Sequence, residues 1–135
     1  MSRGVEPVSE ADAVRARVPD VLRMYRETRA NVLESGLVEP GLKRLCARYL
    51  NGDPELADFE RSEELDERQR AALGWAEAIA WDPTLADDAL WERLHRNFNE
   101  PELVELGYCM AIVHGQLHWL RTLGIRPDPE QVLAP

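Results

Sequence analysis

The sequence is poor in the residues that most often carry a recognisable chemistry. It has two cysteines, Cys46 and Cys109, 63 positions apart, so it forms neither a CxxC nor a zinc-ligand spacing. Both are expected to be thiols in a reducing cytosol. The start, MSRGVEPVSEADAV, holds no apolar signal core, and the expected location is cytoplasmic. The longest uninterrupted apolar run, Tyr108 to Val113, is far too short to span a bilayer. No stretch alternates apolar and polar residues as a half-buried strand does, and there is no internal repeat. No glycine-rich phosphate loop occurs, and no cofactor and no resident metal is expected. Lysine is nearly absent: Lys43 stands alone beside fifteen arginines, a bias that with the many alanines points to a GC-rich bacterial genome.

What the chain does have is acid. The formal charge is −9 over 135 residues, which repels phosphate backbones and anionic lipid and argues against nucleic acid or membrane as a partner. The charge is uneven. Residues 53–68 carry eight acids against Arg61 and Arg68, and read as a solvated segment. Hydrophobic residues make up 44%, enough for one domain with a real core spanning 1–135.

Helical periodicity runs through most of the chain. The longest periodic segment is Glu102 to Gly124, where Leu103, Leu106, Met110, Val113, Leu117 and Leu120 make one narrow stripe. Asn99 and Glu102 form a reciprocal N-cap with Pro101 in the first turn, and Gly124 with Ile125 reads as a Schellman ending. Upstream, Ser9 caps a first helix to Arg17. A second, after Pro19, carries Val21, Leu22, Tyr25, Val32 and Leu33 towards Gly36. Leu42, Leu45, Cys46, Tyr49 and Leu50 form a buried face that ends at Asn51-Gly52, and Leu56 and Phe59 anchor a short helical piece. Asp66 and Gln69 box the next helix, with Ala72, Trp75, Ala76, Ile79 and Ala80 inward and a close contact expected over Gly74. Asp87 caps another, with Leu90, Trp91 and Leu94 inward. Residues 1–8 look loose, and residues 126–135, with three prolines, extended. The predicted fold is an all-α bundle of five or six helices.

Two stretches share an order with a known family. One is LKRLCARYLNG at 42–52. The other is LDERQRAALGWAEA at 65–78, followed by DDALWERLHRNF at 87–98, PELVEL at 101–106 and LGI at 123–125. Over about residues 37–125 this order resembles the carboxymuconolactone decarboxylase and alkylhydroperoxidase D-like superfamily. The resemblance implies an all-α fold and a homo-oligomer, from dimer to hexamer. In the peroxidase branch it also implies a Glu, a CxxC and a His. These fall here on Gly41, on Asp53 and Leu56, and on Glu60, so all four positions differ. Without a thiolate and its resolving partner, thiol peroxidase chemistry is excluded. The decarboxylase branch typically places a histidine near the same helix end, and none lies there.

The remaining chemical signal is His114 and His118, one turn apart. An HxxxH pair can reach one metal, but a third ligand would have to come from His95 or Cys46. The same pair could move protons near neutral pH. Tyr49, Cys46, Cys109 and Trp119 are candidate pocket residues, with buried packing the alternative for the cysteines and Tyr49 and a subunit interface for Trp119. Two readings follow. One is cofactor-free acid–base work on, or binding of, a small acidic or lactone-like molecule by a divergent family member without a redox centre. The other is a non-catalytic oligomeric scaffold that keeps the fold.

Overall fold

The computed structural model describes residues 9–127, and all regular structure among them is helical. Six α-helices follow one another: α1 Glu10–Arg15, α2 Pro19–Thr28, α3 Pro40–Leu50, α4 Glu67–Ala80, α5 Asp88–Asn97 and α6 Glu100–Thr122. A π-helical turn, Arg29–Leu33, extends α2, and 3-10 turns occupy Pro54–Leu56, Phe59–Arg61 and Pro83–Leu85. The expected loose residues 1–8 and most of the extended tail lie outside the described residues.

The helix ends are set by local chemistry. Asn99 accepts from the Glu102 N–H while Glu102 accepts from the Asn99 N–H, and Asp66 with Gln69 repeats that box on α4. Ser9 and Asp87 cap α1 and α5. At the far end of α6 the Ile125 N–H returns to the Leu120 carbonyl and the Gly124 N–H to Arg121, with Gly124 at φ +70°. That is the Schellman pattern, which needs a residue tolerant of left-handed backbone.

Three helices, α3, α4 and α6, pack against one another and enclose the core; α5 lies on α4, the π-helical turn packs on α6, and α1 and α2 reach α6 through the Arg15–Gln116 hydrogen bond and the depression shared by Met24 and Ile112. All six residues of the α6 stripe are buried, with Leu106 and Leu120 fully so. Helix α4 is buried nearly all round because alanines and Gly74 let its neighbours approach. The Leu90 side chain would lie 3.2 Å from a Cβ added at Gly74, the close contact its position required. Gly107 of α6 does the same for Trp75, whose ring would lie 2.6 Å from an added Cβ.

Some expectations shift. The second helix is not one α-helix to Gly36: its last turn widens to the π form, and Leu33 still reaches the core. Val21 faces outward rather than into the bundle. Trp91 sits at the surface, edge-on to Trp75 at 5.3 Å between centroids. The acidic segment is only partly a solvated face. Asp53 pairs with Arg48, Glu60 and Glu67 both grip Arg93, and Asp66 caps α4. Its carboxylates thus tie the 53–67 connection to α3 and α5.

Candidate functional site

The outward side of α6 is the least conventional surface of the molecule. Fifteen consecutive positions, Leu106 to Leu120, carry no Asp, Glu, Lys or Arg. They extend about 22 Å along the axis. A helix apolar on every side is normally buried on every side. This one is not. Val104, Tyr108, Ala111, Gly115, His118 and Trp119 form a solvent-facing strip, and Val104 and Tyr108 are 71% and 57% exposed. None of the described residues lies within 4 Å of a Cβ added at Gly115. Next to the strip, Ile112 and Gln116 share a surface depression with Val21 and Met24 of α2, themselves exposed, so the apolar surface continues onto α2.

His114 borders this strip beside His118. Their rings meet edge to face, with centroids 4.2 Å apart. His118 is exposed, whereas His114 is half-buried and its Nδ1 is enclosed without a hydrogen-bond partner among the described residues. Burial, then the neighbouring His118 and Arg121, holds the His114 imidazole below its usual range and so favours the neutral ring. Neither ring lines the depressions around Tyr49 or Tyr25. No group of three or more His, Cys, Asp or Glu among the described residues could hold a metal ion. His95 contacts the Trp91 carbonyl and Glu100, and Cys46 is in the core, so neither completes an HxxxH site.

The other candidate residues go to separate places. Cys46 and Cys109 are 1% and 2% exposed. Burial, and for Cys46 also the charge of Cys109, pushes the Cys46 thiol far up, and burial raises Cys109 to about 11, against the reactive thiolate form. Trp119 stands at the edge of the α6 strip, where the Arg15 guanidinium lies 5.9 Å from its ring. Tyr49 is at the C-terminal end of α3, edge-on to Phe59 and beside Trp81, in a surface depression that holds none of the other candidates. The six residues therefore do not converge on one pocket.

A polar cluster gave no prior signal as a unit. Glu105 accepts from the Leu37 and Val38 N–H groups and from Lys43 Nζ at 2.8 Å, and Lys43 also donates to the Ser35 carbonyl. Lys43 has no solvent exposure. Burial raises the Glu105 carboxyl, but the bonds from Lys43, Val38 and Leu37 together outweigh it, so its net position is below the usual range. The lone lysine of the chain was the only available cue. The cluster clamps the 34–39 connection onto α6, and its partners are all internal.

No protein-family model matches the chain, and no curated protein matches it in sequence. No helix among the described residues is long and apolar enough to cross a membrane.

Proposed function

We propose that the protein is a non-catalytic, self-associating helical scaffold, a divergent carboxymuconolactone decarboxylase-like chain that keeps the fold for its assembly surface. The observation that carries this reading is the uncharged outer face of α6. Each copy has a formal charge of −9, so two copies repel over most approaches. Across the α6 strip they meet without opposing carboxylates. Ala111 and Gly115 leave room for a second helix, while Tyr108 and Trp119 supply aromatic area at the flanks. A two-fold pairing suits this arrangement, since the same strip serves both partners. Support for the family reading is the residue order over 37–125, which spans α3 to α6.

The competing reading, proton transfer by His114 and His118, needs a cavity that reaches both rings. The depressions at Tyr49 and Tyr25 do not include them. The test is sedimentation equilibrium between about 1 and 100 µM, the range in which an interface of ordinary strength changes occupancy. The wild-type chain is expected to sediment as a dimer or larger closed assembly. Ala111→Glu, a change at an exposed position, is expected to be monomeric with unchanged helicity. A wild-type chain that stays monomeric throughout would remove the proposal.

A further inference from the structure

A second surface feature is chemically unlike the α6 face and independent of it. At one end of the bundle the C-termini of α3 and α4 converge on an open depression of about 370 Å³. Its walls include Tyr49 and Gly52 from the end of α3, Asp53 from the following turn, and Glu77 and Trp81 from the end of α4. No lysine or arginine lines it. Trp81 is 77% exposed, an unusual position for a tryptophan with no covering group among the described residues. The Tyr49 hydroxyl is held beside the Trp81 indole, and the Glu77 charge is felt at Tyr49, so the aromatic pair and the carboxylate face one space.

Four influences in that space have the same sign. The last carbonyls of two helices bring partial negative charge. Helix α4 has no basic residue in its last turn to offset it, whereas α3 has Arg48 there, paired with Asp53. Glu77 contributes a carboxylate with no ion-pair partner among the described side chains. Asp53 contributes a second, partly neutralised by Arg48 at 2.7 Å. Tyr49 and Trp81 line the space with aromatic rings, whose π-systems attract cations. An anion is repelled there, and a bare metal ion finds too few oxygen ligands. A cation with an apolar body satisfies all four.

We propose that the depression between the C-terminal ends of α3 and α4 binds an organic cation, an alkylammonium or guanidinium group, against Trp81 and Tyr49 with Glu77 as its counter-ion. The group could belong to a free small molecule or to an arginine side chain of a peptide, and the chemistry of recognition is shared.

The indole N–H resonance of Trp81, identified by its loss in Trp81→Phe, reports binding in the intact chain. Choline and agmatine are the free cations, 3,3-dimethyl-1-butanol is the neutral isostere of choline, and a blocked Ala-Arg-Ala tripeptide presents the side chain. Choline or agmatine is expected to shift the Trp81 resonance saturably, with a dissociation constant in the millimolar range for so open a site. The neutral alcohol is expected to leave it in place. Glu77→Gln is expected to weaken binding about tenfold, as loss of a partly shielded counter-ion does, while Glu92→Gln on exposed α5 leaves it unchanged. Saturation by the tripeptide as tightly as by agmatine assigns the site to a protein side chain, and saturation by the free cations alone assigns it to a small molecule. The proposal is overturned by equal shifts with the neutral alcohol, by wild-type affinity in Glu77→Gln, or by no saturable shift from any cation.

Discussion

At the scale of single residues, Lys43 and Glu105 carry the largest local stakes. A fully buried ammonium is tolerated because Glu105 and the Ser35 carbonyl both receive it. Removing the carboxylate leaves that charge and two backbone N–H groups unanswered. Glu105→Ala is therefore expected to cost about 3–5 kcal/mol, measured by urea denaturation. Glu105 also fixes a pH dependence. Its carboxyl lies below its unfolded value of about 4.5, so its stabilisation is complete above that pH and is lost as the pH falls through the folded value. His114 acts in the same direction at higher pH. Its imidazole lies below the unfolded value of 6.5, so the unfolded chain takes up the proton first, and stability declines as the pH drops below that value. His95 runs oppositely, because the Trp91 carbonyl and then Glu100 raise its pKa; its contribution is greatest in acid. His114→Leu is expected to flatten the decline of melting temperature below about pH 6.5 relative to wild type, while matching or exceeding it in stability, because an enclosed unpaired nitrogen is removed.

At the scale of the helices, the contrast lies between two glycines of α6. Gly107 is covered by Trp75, and an added methyl would meet that ring at 2.6 Å. Gly115 has open space above it. Gly107→Ala is expected to destabilise the fold by about 1–3 kcal/mol through overpacking, after subtraction of the helix-propensity gain. Gly115→Ala is expected to stabilise an isolated protomer by up to about 1 kcal/mol. Urea midpoints at equal slopes would separate the two. The caps at either end of α6 were legible beforehand, and so was the contact over Gly74. All depend on residues within a few positions, or on a mid-helix glycine whose cost asks for a reason. The π-helical turn after Thr28 was not legible, because the periodicity of Val32 and Leu33 fits a continuous helix as well as one widened turn.

At the scale of the whole molecule, net charge opposes the assembly that the α6 face invites. If copies associate there, self-repulsion of two −9 chains weakens the dimer at low ionic strength, and screening relieves it. Association constants from sedimentation are therefore expected to rise with added sodium chloride. A fall would point to ion pairs across the interface rather than an uncharged strip. The candidate site was only partly readable at this scale. His114, His118 and Trp119 do lie at one edge of one surface. Tyr49 lies in a separate depression between the ends of α3 and α4, and both cysteines are sealed in the core. Membership of an apolar stripe cannot tell which stripes share a cavity.

The sequence by itself determined where most of the helices begin and end and most of the residues each turns inward, because capping and a 3.6-residue period act over one or two turns of chain. It also determined that the chain offers no CxxC. Tertiary structure alone decided that Lys43 meets Glu105, that Trp75 covers Gly107 while nothing covers Gly115, and that two helix ends converge on Tyr49 and Trp81. Those outcomes join positions about 30 to 60 apart, and they depend on crossing angles and side-chain volumes that no local pattern encodes.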